Sequence, residues 1–234
     1  MTLTVANLCD RALQESGFVK FSAYFGATAA GALQLTGLIS SMGQELLQFG
    51  WQKLTTTGTQ ALTTGTLTYA LPTGFGWYVP DTMMTDGSSN LADAPTSPQR
   101  WQLIKSTSGS GPGPGYRVRF FQDLIQVIDP TTGHTIRFEY VDNRPWQATG
   151  AGARKALPTV DTDVWLLDDQ AGLLWLKWQL QAAKGMPGWR TAKAAWDLYA
   201  SHRRGVESGA KTIVECGDSD DYTPPSPYTN LWVS

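Results

Sequence analysis

The stretch that decides the architecture is Asp161-Thr162-Asp163-Val164-Trp165-Leu166-Leu167-Asp168-Asp169-Gln170-Ala171-Gly172-Leu173-Leu174-Trp175-Leu176-Lys177-Trp178-Gln179-Leu180. Set on a helix, Val164, Leu167, Ala171, Leu174 and Trp178 fall on one stripe, and Leu166, Leu173, Leu176 and Leu180 on another. A helix apolar on two sides is expected between two layers, with Leu166, Leu173, Leu176, Trp178 and Leu180 holding the helical layer and its packing against other subunits. The spacing predicts this helix over Asp161 to about Lys184. Asp161, Thr162 and Asp163 would serve as caps, and Lys177 and Lys184 would lie toward the negative end of the dipole. Gly185-Met186-Pro187-Gly188 interrupts the pattern. It resumes over Trp189–Arg204 on Ala192, Ala195, Trp196 and Tyr199, and Gly205 is read as the stop.

Two more helices are expected at the start of the chain. Val5, Leu8, Cys9 and Ala12 repeat at helical spacing, with Thr4 or Thr2 as a cap and Gly17 at the stop. Leu35, Leu38, Ile39, Met42, Leu46 and Phe49 keep one face for four turns before Gly50. Between these helices and the C-terminal ones the texture changes to Thr-rich alternation broken by Gly and Pro. Strands are predicted at Thr66–Leu71, Trp77–Thr85, Tyr116–Phe120, Leu124–Ile128 and Thr135–Tyr140. The fold class is therefore α+β: a helical bundle of two N-terminal helices plus a long C-terminal helix, an inserted antiparallel β-sandwich-like domain, and an extended C-terminal tail. The divisions are 1–53 and 151–207 for the helices, 54–150 for the β-domain and 208–234 for the tail.

The tail is a different material. Lys211 stands against Glu215, Asp218, Asp220 and Asp221, and Pro224-Pro225-Ser226-Pro227 precedes Tyr228, Leu231 and Trp232. Such a segment is expected to be extended and to order only on a partner, with Lys211, Ile213, Val214, Pro224, Pro225, Tyr228, Leu231 and Trp232 as the docking residues. Charged residues are 16% of the chain against about a quarter in an average protein, while ten of the 234 residues are tryptophan. That balance excludes a disordered chain and favours burial against other subunits. A net charge of −2 does not supply the cationic excess that gripping duplex DNA requires.

Chemistry-bearing motifs are sparse. The start of the chain lacks a basic segment followed by an apolar run, so no secretory signal is read there, and no stretch is long enough to serve as a membrane anchor. Cys9 and Cys216 lie far apart in sequence and form no metal-binding pattern. The histidines His134 and His202 fall at a hairpin tip and a helix end, and no nucleophile elbow, zinc-protease or Walker motif is present. Gly109–Gly115 precedes a strand and lacks the helix dipole of a phosphate loop. Asp168 and Asp169 diverge on a helix and read as a solvated face. No cofactor or metal is expected. Arg190, Lys193, Arg203 and Arg204 form a modest basic set that could touch DNA or an acidic partner. Trp77, Trp101 and Trp146 could alternatively stack sugars, which would make the chain a carbohydrate-binding module. A cell-wall hydrolase is disfavoured because no acid/base pair converges.

The order of these elements resembles a known group. Glu45-Leu46-Leu47-Gln48-Phe49-Gly50-Trp51-Gln52 ends the N-terminal helices, and Tyr69-Ala70-Leu71-Pro72 follows a predicted strand. Tyr116-Arg117-Val118 leads on to Thr135-Ile136-Arg137-Phe138-Glu139-Tyr140, and then come Asp163-Val164-Trp165-Leu166-Leu167 and the Trp-rich helix. Over about residues 1–215 this is similar to the head-to-tail adaptor (connector) proteins of short-tailed bacteriophages, the tail tubular protein A and tail accessory factor group. The resemblance implies a non-enzymatic virion protein, assembled in the bacterial cytoplasm as a homo-oligomeric ring, typically of twelve copies. Its implied partners are itself, the portal protein, the tail nozzle and fibres, and DNA passing without sequence specificity. The ring would extend the DNA channel and help retain packaged DNA. The segment after Gly217 matches nothing in that group.

Overall fold

A computed structural model describes residues 3–49, 51–86, 96–106 and 116–207. Those residues form a mixed α+β fold of five helices and three antiparallel sheets. Helix α1 spans Val5–Glu15 and opens on Thr4, whose hydroxyl accepts from the N–H of Asn7, as the cap reading requires. Helix α2 spans Ala30–Leu47 and buries Leu35, Ile39, Met42 and Leu46 of the expected face. A short 3₁₀ turn, Gln52–Leu54, leads into the β-region.

Strand β1 (Thr55–Ala61) continues directly from that turn. Strands β2 (Thr68–Ala70), β3 (Phe75–Tyr78) and β4 (Met84–Asp86) follow. The single strand expected over Trp77–Thr85 is thus two, because Asp81 adopts a positive φ between them. Helix α3, Pro98–Ser106, has no counterpart in the sequence periodicity; Trp101 is its one buried large side chain, so no stripe announces it. Strands β5 (Arg117–Phe121) and β6 (Leu124–Ile128) form a tight hairpin, with Gln122 and Asp123 both at positive φ. Strand β7 (Thr135–Asp142) is the longest and pairs with β1, β3 and β4. A second sheet joins β2, β6 and β5.

A third sheet is made of two-residue pieces: β8 (Trp146–Gln147), β9 (Arg154–Lys155) and β10 (Val164–Trp165). Here the structure corrects the helix expected from Asp161. Val164 and Trp165 are strand, and Leu166 donates its N–H to the Pro145 carbonyl before helix α4 begins at Asp169. The expected capping residues do meet a helix N-terminus, but it is that of α1: Val5 and Ala6 donate to the carbonyls of Asp163 and Asp161. Helix α4 spans Asp169–Ala183, and α5 spans Trp189–Glu207, so Gly205 lies inside a helix rather than ending it.

Two hydrophobic cores result. The larger gathers α1, α2, α4 and α5, with Leu173, Trp175, Leu176 and Leu180 of α4 buried at its middle. The smaller lies between the two larger sheets, around Val118, Ile125, Ile136 and Phe138. Strand β7 serves both, since Ile136, Phe138 and Tyr140 face the smaller core while Val141 enters the larger. At the seam Trp146 and Trp165 pair across β8 and β10, ring centroids 4.6 Å apart. Two helical glycines make room for them. A Cβ on Gly43 of α2 would lie 2.8 Å from Trp146 Nε1, and one on Gly172 of α4 would lie 3.2 Å from Trp165 Nε1.

This seam predicts opposite outcomes for two glycines of one helix. Gly43→Ala should lower stability by roughly 1–2 kcal/mol, because overpacking the buried indole outweighs the gain in helix propensity. Gly37→Ala, with nothing near its added methyl, should raise stability by roughly 0.5–1 kcal/mol. Melting temperatures of the two variants and the parent check the signs.

Candidate functional site

Helix α4 packs against α1, α2 and α5. Its first turn is held by one carboxylate with four partners. Asp168 caps the helix by accepting from the N–H groups of Gln170 and Ala171, at 2.8 and 2.9 Å. It also accepts from the Tyr199 hydroxyl at 2.9 Å and from the Arg203 guanidinium, both on α5. Arg203 further lies over the Trp51 ring. Burial works to raise the Asp168 carboxyl, but the Ala171 N–H, the Arg203 guanidinium and the Tyr199 hydroxyl outweigh it and hold it below the usual carboxylate range. Asp168 is therefore a half-buried clamp between two helices, not part of a solvated face.

The other acidic residues near the seam are also structural. Asp163, fully buried, accepts from Lys155 Nζ at 2.8 Å and from the backbone N–H groups of Thr159 and Val160. Asp161 accepts from the N–H groups of Tyr24 and Phe25, tying the loop after α1 to the segment before α4. Asp142 pairs with Arg144 and Arg154. Sequence reasoning missed these roles. The only signal for Asp168 was an acidic residue just ahead of an apolar helical run, which is what an N-cap looks like.

The predicted site residues divide clearly. Leu173, Leu176 and Leu180 lie in the larger core, while Leu166 and Trp178 are half-buried against it. Trp178 borders a groove of about 420 Å³ between α2, α4 and α5, together with Phe49, Trp196 and Lys193. Arg190, Lys193 and Arg203 are each engaged within the chain. Lys193 pairs with Asp197 at 2.6 Å, Arg190 lies over its neighbour Trp189, and Arg203 is turned inward onto Asp168. The side chain of Arg204 lies outside the described residues, as do Lys211, Ile213, Val214, Pro224, Pro225, Tyr228, Leu231 and Trp232 of the tail.

Of the tryptophans considered for sugar stacking, Trp101 is 2% exposed and Trp146 is fully buried, so neither offers a ring face; Trp77 remains partly open. His134 Nδ1 is hydrogen-bonded to the Tyr116 hydroxyl at 2.7 Å. The Cys9 thiol is pushed up by burial and by Asp10 and Asp161, the reverse of what a nucleophile needs. Among the described residues no cluster of His, Cys, Asp and Glu could hold a metal ion, and no helix is long and apolar enough to cross a membrane.

Large apolar side chains are exposed on strands and loops, among them Leu67, Met84 and Phe121, and also in the helical part. Val19 after α1 and Leu33 on α2 are exposed, and Leu198 of α5 is 74% exposed. Comparison with models of known protein families and with curated proteins finds no match to this chain.

The Asp168 clamp sets an acid limit on the helices. Its proton affinity is lower in the folded chain than in the unfolded one, so its stabilisation is complete at neutral pH and fades as pH falls below about 4. Asp168→Asn keeps a cap but loses the charge, and should cost roughly 1–3 kcal/mol at pH 7. Its melting temperature should also change less than the parent's between about pH 5 and pH 2. Thermal melts of both chains across that range check the claim.

Proposed function

We propose that this chain is a structural adaptor subunit of a short-tailed bacteriophage virion, forming a ring that joins the portal to the tail nozzle and fibres. In this reading the helices form a bundle from which an inserted β-sandwich-like domain projects. The observation that supports it most directly is the helical core gathered around α4 with apolar side chains left exposed outside it. Helix α4 packs against α1, α2 and α5, while Val19, Leu33 and Leu198 remain exposed. A subunit with separate exposed apolar side chains can bury them on different neighbours, and heterologous contacts of that kind form a ring when the rotation closes. The modest charge suits a channel wall past which DNA slides, and Lys193 and Arg203, being engaged within the chain, leave that wall weakly attractive to phosphate. The acidic segment from Lys211 to Ser234 would dock on the portal or a neighbouring subunit.

Native mass measurement of the purified chain, alone and mixed with the portal protein of the same phage, tests the reading. The expected outcome is a ring-sized assembly that carries the portal. A chain whose mass is unchanged by the portal would sink it. Deleting Ser208–Ser234 should leave a folded subunit, read from an unchanged helical circular-dichroism signal, and weaken portal binding by about tenfold or more. Unchanged binding would remove the tail from the interface.

A further inference from the structure

Below Val19 the larger core opens into an apolar groove. It encloses about 620 Å³ where the end of α1, the loop after it and the start of α2 meet the C-terminal end of α4. Leu13, Leu35 and Leu180 form its floor, and the rings of Phe18 and Phe21 line it. A Cβ on Gly31 would lie 2.7 Å from the Phe21 ring, so this glycine lets the ring rest directly on α2. Val19, 86% exposed, stands at the rim with Lys20 and Lys184. Lys20 shares its charge with Asp10 at 3.1 Å, and among the described residues Lys184 has no carboxylate partner. An apolar, aromatic-lined trough with a cationic rim selects an occupant that is itself apolar, aromatic and acidic.

We infer that this groove holds the chain's own segment Pro224–Trp232. Its sequence, Pro224-Pro225-Ser226-Pro227-Tyr228-Thr229-Asn230-Leu231-Trp232, combines prolines with three large apolar side chains. Proline-rich segments lose little entropy on docking and favour aromatic-lined grooves. The residues just ahead of it, Asp218, Asp220 and Asp221, carry the charge opposite to that of the rim. Reach is sufficient. The pairing of Arg203 with Asp168 places the end of α5 beside the start of α4, one helix of 15 residues, or about 22 Å, from Lys184. Residues 208–223 can span about 50 Å when extended. A tether of that length supplies an effective concentration near the millimolar range, which favours the chain's own groove over a neighbour's. This inference goes beyond the adaptor reading and does not need it; in a virion the segment would leave the groove when a partner binds it more tightly.

Cross-linking in the full-length chain tests it. Cys216→Ser removes the tail's own thiol, and Cys9 is buried. In that background Val19→Cys is paired with Leu231→Cys and oxidised with diamide. A comparison chain pairs Leu198→Cys, on the outer side of α5, with Leu231→Cys. The 19–231 disulfide should form within one chain and about tenfold or more faster than the 198–231 disulfide. Lys20→Glu together with Lys184→Glu should abolish that advantage at low salt. Equal rates for the two pairs, or disulfides found only between chains in an isotopically mixed sample, overturn the inference. Ring formation on the portal is measured independently, so either reading can fail without the other.

Discussion

The rest of the molecule depends on two indoles being admitted between two helices. Trp146 and Trp165 belong to strands only two residues long, which by themselves contribute almost nothing to stability. What fixes them is the space left by Gly43 and Gly172, which lets α2 and α4 close on the ring pair. Once seated, Trp165 donates its Nε1–H to the Asp168 carbonyl, and the Asp168 side chain caps α4 and clamps α5. A packing event at the seam thus sets a helix start, and that start sets the position of the next helix.

The polar residues around this seam follow the same logic. Aspartates 142, 161, 163 and 168 each satisfy N–H groups or cations that the close packing would otherwise leave without water. Because these carboxylates serve several loops at once, they substitute for regular strands in a region where ladders are too short to order the chain. Elsewhere Leu33 on α2, Leu198 on α5 and Val19 after α1 stay exposed.

Periodicity makes some of this legible in the sequence and leaves some of it hidden. Helices α1 and α2 are readable because each buries one face and leaves the other wet, and strands β5 to β7 are readable because alternation tracks their two sides. Helix α3 is not, since a helix anchored by Trp101 alone has no stripe. The start of α4 is misread because Val164, Leu166 and Leu167 are apolar for another reason: they lead the chain past the same core before the helix begins. The aspartates ahead of it look like caps for the adjacent helix, whereas the nearest unsatisfied N–H groups in space are those of α1. Local sequence cannot distinguish a neighbour along the chain from one brought by folding. For the candidate site, the leucines of α4 were legible through burial, whereas the pairing of Asp168 with Arg203 joins positions 35 residues apart.

That same pairing of chain ends has a bearing on synthesis. Leu3 donates to Asp169, 166 residues further on, and the first turn of α1 is completed by carbonyls of Asp161 and Asp163. A ribosome adds roughly 5–20 residues per second, so the first helix waits on the order of ten seconds before its native partners exist. During that interval its apolar face must be shielded by transient contacts or by a chaperone, and the final closure occurs only as the last helices leave the exit tunnel.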